Sequence, residues 1–86
     1  RIKPESADGL CNRGNAYLAK GKTKKALEDF TSAIKLTPQD PDLYYNRAIV
    51  YLSRGKNTKA MEDMREAARL GHIQAREYLN RSGNML

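Results

Sequence analysis

The chain repeats itself with a period of 34 residues. Residues 7–40, aligned with residues 41–74 without a gap, share 13 identical positions, and NRGNAYLAKGK at 12–22 returns as NRAIVYLSRGK at 46–56. A fixed period of this length is typical of stacked repeats, in which one unit is too small to bury its own apolar face. The repetition therefore predicts two similar units that pack against each other in a chain of 86 residues.

Each unit has the pattern of two helices separated by a turn. Apolar residues recur at intervals of three and four with charged residues between them, which is typical of amphipathic helices. The pattern predicts helices at about 7–20, 24–36, 41–54 and 58–70. A fifth helix is predicted at 73–81. Its apolar face, which would cover the end of the stack, is formed by Ile73, Ala75, Tyr78 and Leu79.

Turn and capping residues mark the limits of these helices. Gly21 and Gly55 are predicted to end the first helix of each unit in a left-handed conformation. Thr23 and Asn57 are predicted to cap the second helices, and Asp40 is predicted to cap the helix that begins with Pro41. The chain is then divided into a flank at 1–6, units at 7–40 and 41–74, the fifth helix at 73–81 and a frayed tail at 82–86.

The recurring positions resemble those of the tetratricopeptide repeat (TPR) family, whose 34-residue unit contains W-x2-L-G-x2-Y, then A-x3-F, then P. The matching residues, small where two helices cross and larger between them, are Gly14, Tyr17, Ala26, Phe30, Ala33, Pro38, Ala48, Tyr51, Ala60, Met64 and Ala67. The departures are Arg13 and Arg47, which stand where the family has Leu, Met64, which stands where it has Phe, and His72, which stands where it has Pro. The resemblance implies an all-α fold: two antiparallel helix-turn-helix units and a C-terminal capping helix in a short right-handed α-solenoid.

The sequence contains no catalytic or metal-binding pattern. With one histidine, His72, and one cysteine, Cys11, it lacks metal-ligand spacings and the nucleophile–base sets of covalent catalysis. The adjacent carboxylates Glu28–Asp29 and Glu62–Asp63 are predicted to lie on exposed helix faces, where they are solvated rather than catalytic. We therefore predict a protein that is not an enzyme and that needs no cofactor.

The resemblance implies that the chain binds another protein, because a TPR stack accepts a peptide or a helix in a concave groove lined by the first helix of each unit. Amide side chains suit an extended peptide, since each can both donate to and accept from a backbone. The residues predicted to contact a peptide in this groove are Asn12, Asn15, Tyr45, Asn46, Ile49 and Arg76. The predicted role is therefore that of an adaptor or scaffold.

A narrower resemblance is to the carboxylate clamp of co-chaperone TPR domains, which hold the free C-terminal carboxylate of the major cytosolic chaperones. Asn15 and Asn46 match two clamp positions, and Arg76 stands where the clamp has Lys. Cys11 and Asn80 replace the Lys and the Arg of the remaining two. Because a carboxylate that leaves water needs charge-assisted hydrogen bonds, these replacements weigh against a complete clamp. The implied partner is an acidic C-terminal tail.

Positive charge offers an alternative function. The net charge is +6, and seven of the 16 cations lie at the turns within the units. We call this set the basic ridge: Lys20, Lys22, Lys24, Lys25, Arg54, Lys56 and Lys59. It predicts salt-sensitive binding of an anionic polymer or surface, such as RNA or acidic lipid. Nucleic acid is the less favoured partner, because no aromatic residues are interleaved with these lysines.

The remaining expectations concern location and assembly. No apolar run approaches 18 residues and the N-terminus lacks a basic-then-apolar pattern, so the sequence shows neither a transmembrane segment nor a signal peptide. A single cysteine fits a reducing compartment, and the cytoplasm is the expected location. We expect the chain to belong to a larger protein or assembly, with self-association through an exposed end of the stack as a further alternative.

Overall fold

The computed structural model describes residues 6–83, and within them it contains five α-helices and no strand. This confirms the all-α prediction, and each predicted helix limit is correct to within one residue. The helices are α1 (Ala7–Ala19), α2 (Thr23–Leu36), α3 (Pro41–Ser53), α4 (Asn57–Arg69) and α5 (Ile73–Arg81). None of the described helices is long and apolar enough to cross a membrane.

A left-handed glycine follows α1, α3 and α4. After α1, Gly21 has a φ of +78°, and its N–H donates to the Leu18 carbonyl (3.0 Å) while the N–H of Lys22 donates to the Tyr17 carbonyl (2.8 Å). These two bonds satisfy carbonyls that the end of a helix would otherwise leave without a partner. The same pair of bonds accompanies the glycines after α3 and α4. The predicted role of Gly21 and of its equivalent in the second unit is confirmed.

In each unit, the residue that completes the turn is also the N-cap residue of the next helix. Lys22 and Lys56 are the N-cap residues of α2 and α4, and neither helix has a side-chain cap. The prediction that Thr23 and Asn57 cap these helices is wrong, because both residues are already the first residues of the helices. The turns are one residue shorter than the capping argument assumed.

Side-chain caps occur instead at α1, α3 and α5. Asp40 accepts a hydrogen bond from the N–H of Asp42 (3.0 Å), which confirms the predicted cap before α3. Ser6 caps α1 through its hydroxyl oxygen. His72 caps α5, because its Nδ1 accepts from the N–H of Ala75 (3.1 Å). The residue that departs from the family's proline thus has a structural role of its own.

The core consists of small residues where helices cross and larger side chains between them. A Cβ built on the buried Gly14 would lie 2.9 Å from Cε1 of Phe30, so α1 and α2 approach too closely for any larger residue there. In the second unit the pair is Ala48 and Met64, both buried in one cluster. The other alanines of the repeat pattern are fully buried, namely Ala26, Ala33, Ala60 and Ala67.

Three further residues of the pattern lie nearer the surface. Tyr17 and Tyr51 are half-buried, at equivalent positions of the two units. Pro38 is exposed, and its carbonyl accepts a hydrogen bond from the hydroxyl of Tyr44 (2.9 Å). This bond ties the connection between α2 and α3 to the first turn of α3.

Helix α5 covers the end of the second unit through part of its predicted face. Ala75 and Leu79 are buried and Tyr78 is half-buried against the cluster formed with α3 and α4. The inclusion of Ile73 is wrong, because its side chain is 68% exposed. At 100° per residue, Ile73 points about 200° away from Ala75, whereas Leu79 lies within about 40° of Ala75.

Candidate functional site

The first helices of the two units and the start of α5 share one surface, which we call the groove face. The N–H2 group of Asn46 on α3 contacts Sγ of Cys11 on α1. The ring of His72, which caps α5, stacks on Tyr45 of α3. Helices α2 and α4 pack behind α1 and α3. The predicted groove contacts therefore come from three adjacent elements of one layer.

Two predicted groove residues meet at Cys11. The Nδ2 groups of Asn15 and Asn46 lie 3.8 Å and 3.5 Å from its Sγ atom. Asn15 is one helical turn after Cys11 on α1, whereas Asn46 comes from the other unit, 35 residues along the chain. A thiol is a weak acceptor, so both amide groups can still form stronger hydrogen bonds with another molecule. These three residues form a polar centre between the two units.

The surroundings of Cys11 favour a neutral thiol. Burial raises the pKa of Cys11 above its ordinary value, the hydrogen bond from Asn46 lowers it, and the carboxylates of Asp40, Asp42 and Asp8 raise it further. These aspartates lie at the N-terminal ends of α1 and α3. The potential at Cys11 is therefore unfavourable for an anion, in contrast to a lysine at the same position.

His72 joins the start of α5 to the first two turns of α3. Its ring lies 4.2 Å from the ring of Tyr45 in a stacked arrangement, and its Nε2 lies 3.3 Å from Oδ1 of Asp42. Because Nδ1 accepts the bond that caps α5, the proton of the neutral ring is on Nε2 and points toward Asp42. The side chain of His72 is only 10% exposed, so this contact sets the position of α5 against α3.

The remaining predicted contacts are spread around this centre. Asn12 is exposed on α1, next to Cys11 in sequence, and Ile49 is half-buried on α3. Arg76 is exposed on α5, one turn after His72, and its N–H donates to the His72 carbonyl (3.2 Å). Asn80 is exposed one turn further along α5. Arg76 is thus the first cation of α5 after the contact between His72 and Tyr45.

The basic ridge is assembled from both units. Arg54, in the turn after α3, donates from Nη1 to the hydroxyl of Thr23 at the start of α2 (3.0 Å), so the two turns lie side by side. Between them is an open depression of about 480 Å³. Its lining residues are Gly21, Lys22, Thr23, Lys24, Lys25, Glu28 and Arg54. Four of the seven ridge cations line this depression, and Lys20, Lys56 and Lys59 lie in or beside the same two turns.

Two tetratricopeptide repeat family models match the chain, one over residues 14–55 and the other over residues 41–70. Together they cover residues 14–70, from the middle of α1 to the end of α4. The chain is a tetratricopeptide repeat protein. The TPR family is one of protein-interaction modules. Within residues 6–83 no group of three or more His, Cys, Asp and Glu residues is placed to hold a metal ion.

Solved TPR structures with the same fold include two from one protein. The second TPR of Spaghetti (RPAP3), bound to the HSP90 peptide SRMEEVD, is 27% identical over 93% of this chain and 82% of that chain, with a TM-score of 0.78. The first TPR of Spaghetti (RPAP3), bound to the same peptide, is 26% identical over 96% of this chain and 73% of that chain, with a TM-score of 0.78. A search of curated proteins finds no match.

Sequence reasoning missed an ion pair that both repeats of this TPR contain. Asp29 and Asp63 are only 5% and 6% exposed, so the prediction that the two carboxylate pairs lie on exposed faces is wrong for these two residues. Arg13 binds Asp29 through two hydrogen bonds of 2.9 Å, and Arg47 binds Asp63 at 2.8 and 2.9 Å. In the sequence, Arg13 recurs as Arg47 and Asp29 recurs as Asp63 at the 34-residue period. This recurrence was the signal that could have revealed the ion pair.

Proposed function

We propose that this TPR protein is a peptide-binding module whose groove face captures an extended segment of another protein. The observation that carries the proposal is the convergence of Asn15 and Asn46, one from each repeat, on the weak acceptor Cys11. Both amide groups, which lie 3.8 and 3.5 Å from Sγ of Cys11, can exchange their contacts with the thiol for stronger hydrogen bonds to a peptide backbone or carboxylate. The peptide-bound TPR domains of Spaghetti (RPAP3) support the same reading.

The elements of the groove face are held together by contacts within the protein itself, which favours capture with little rearrangement. His72 holds the start of α5 against Tyr45, and the Asn46–Cys11 contact joins α3 to α1. A preformed surface loses little conformational entropy when it binds. The proposed mechanism is therefore passive binding, with Asn12, Tyr45 and Ile49 as additional contacts around the polar centre.

The preferred segment in this proposal is acidic and ends in a free carboxylate, as in a co-chaperone. Asn15 and Asn46 supply amide donors, and Arg76 supplies a charge-assisted bond from α5. Cys11 and Asn80 are neutral, and the three aspartates near Cys11 oppose an anion, so the protein compensates the charge of such a tail less completely than a site with cations at those positions. Binding is consequently weaker than at a complete clamp and depends strongly on Arg76.

The test is a titration with the peptide SRMEEVD, followed by calorimetry and by amide chemical-shift mapping. We expect shifts centred on Asn15, Asn46 and Arg76. Replacing Asn46 with Ala should lower the affinity at least about tenfold, because a hydrogen bond to a charged group contributes about 1.5–3 kcal/mol and about 1.4 kcal/mol corresponds to a factor of ten. Asn57→Ala is the matched control, since Asn57 is exposed at the start of α4 in the other layer.

Two outcomes would contradict different parts of the proposal. If the same peptide with an amidated C-terminus binds equally well, the terminal carboxylate is not recognised, although the groove still binds the peptide. If the shifts are absent from Asn15 and Asn46, or if Asn57→Ala weakens binding as much as Asn46→Ala, the groove face is not the binding site.

A further inference from the structure

The depression within the basic ridge has an unbalanced charge. Four cations and a single carboxylate, Glu28, line it, and Arg54 is held over it by the bond to Thr23. The opposite ends of α1 and α3 contain Asp8, Asp40 and Asp42. With a rise of 1.5 Å per residue, the two edges are about 18 Å apart along α1. The basic ridge and these three aspartates thus lie at opposite edges of the repeats.

The positions of the lysines are unfavourable for the isolated protein. The first turn of a helix favours acidic side chains, because the helix dipole places a partial positive charge there. Helices α1 and α3 follow this rule, whereas the first turns of α2 and α4 contain no acidic residue. They contain Lys24, Lys25 and Lys59, and neither helix has a side-chain cap. A feature that opposes stability in both repeats is typical of a binding surface.

The side chains in and around the basic ridge fit an acidic polypeptide better than nucleic acid or a membrane surface. Nucleic acid is disfavoured because the nearby Tyr17 is half-buried and already has the cations of Arg13 and Lys25 at 5.9 and 6.0 Å from its ring centroid, where they compete with a stacking base. A membrane surface is disfavoured because the two large apolar side chains exposed in the described chain, Leu36 and Ile73, lie outside the ridge turns. An acidic polypeptide needs neither an aromatic ring on which to stack nor an exposed apolar side chain, because its carboxylates pair with the cations directly.

We propose that the basic ridge is a second interaction surface, separate from the groove face, which binds an acidic polypeptide segment of a protein partner. Successive carboxylates of the segment enter the depression and pair with Lys22, Lys24, Lys25 and Arg54. The segment needs no free C-terminus, since the charge of its side chains supplies the attraction. Its binding weakens steeply with salt, because the pairs are exposed.

The test uses a peptide of ten glutamates with acetylated and amidated ends, titrated by fluorescence anisotropy at low and physiological salt. The variant Lys22→Glu with Lys24→Glu should raise the dissociation constant at least about tenfold. Its matched control is Arg65→Glu with Arg81→Glu, which reverses the same charge at exposed residues outside the ridge and should change the constant no more than about twofold. Asn46→Ala should leave this binding unchanged, which separates the ridge from the groove.

Thermal denaturation shows whether the variants fold. The ridge variant should be at least as stable as the parent protein, because Lys24→Glu places an acidic residue in the first turn of α2. Equal loss of binding in the ridge and control variants would overturn the proposal, since net charge alone would then explain it. Tighter binding of a ten-nucleotide RNA or of phosphatidylserine vesicles than of the glutamate peptide would also overturn it in favour of that partner.

Discussion

Arg47 and Asp63 form a two-bond ion pair that joins α3 to α4 in the second repeat. Nε and Nη2 of Arg47 lie 2.8 and 2.9 Å from Oδ2 and Oδ1 of Asp63, and Nη1 lies 3.3 Å from the hydroxyl of Thr31 on α2. The hydrogen bonds that Arg47 donates to the carboxylate of Asp63 raise the pKa of Arg47, so the guanidinium is charged at all relevant pH values. The arginine therefore connects three helices, including one of the first repeat.

Replacing Asp63 with Ala should destabilise the protein by about 3 kcal/mol, because it leaves a largely buried guanidinium without its counter-charge. Asp29→Ala should cost less, about 1 kcal/mol, because the side chain of Arg13 is 49% exposed while that of Arg47 is 19% exposed. Urea denaturation of both variants measures the difference. Equal losses would show that solvent exposure of the arginine does not determine the strength of the pair.

A second prediction concerns the closest helix crossing. Gly14→Ala should destabilise the protein by about 1–2 kcal/mol, because the new Cβ would lie 2.9 Å from the ring of Phe30 and force it to move. The second repeat has Ala48 and Met64 at the equivalent positions, and both are buried. We therefore expect Phe30→Met to be better tolerated together with Gly14→Ala than in the parent protein. A double-mutant cycle by thermal denaturation tests this coupling, which additive effects would contradict.

The repeat itself made most of the fold predictable. Two copies of one pattern established the period, and the glycines at each turn established the helix limits. The caps of α2 and α4 could not be predicted, because the glycine turn closes on Lys22 and begins the helix immediately. The exposure of Ile73 could have been inferred from helical geometry, since it lies on the opposite side of α5 from Ala75.

The sequence could predict which positions form the candidate site, but not which side chains contact each other there. Cys11 was recognised only as a replacement for a cation, and its contact with Asn46 depends on how closely α1 and α3 approach. The ion pair of Arg47 and Asp63 joins residues 16 positions apart on different helices, so no pattern within one helix reveals it. Such contacts depend on the packing of whole helices against each other.

A third prediction follows from the replacement at Cys11. Cys11→Lys should raise the affinity for SRMEEVD about tenfold, because an ammonium group between Asn15 and Asn46 adds a charge-assisted bond to a carboxylate. Cys11→Ser is the control, since it keeps the size and adds no charge. Calorimetry at two salt concentrations measures both variants. An unchanged affinity for the lysine variant would show that the carboxylate of the peptide does not reach this position.

A fourth prediction uses the thiol as a reporter. The raised pKa of Cys11 leaves a smaller thiolate fraction at pH 8 than in an unfolded chain, so alkylation by iodoacetamide should be slower than in a peptide of residues 7–15. The rate should keep rising with pH after that of the peptide has levelled off. Saturating SRMEEVD should slow alkylation further if it covers the groove face. Mass spectrometry follows the reaction, and equal rates in the folded protein and the peptide would contradict the expected burial.

The last prediction concerns His72, which caps α5 and stacks on Tyr45. His72→Ala should destabilise the protein by about 1–2 kcal/mol, because it removes the acceptor for the N–H of Ala75 together with the ring contact. His72→Asn should recover part of this loss, since Asn is a good cap but cannot stack. If His72 also positions Arg76, both variants should weaken SRMEEVD binding, and the amide signals of α5 should exchange with solvent faster in the alanine variant. Weakened stability with unchanged peptide affinity in both variants would restrict His72 to a structural role.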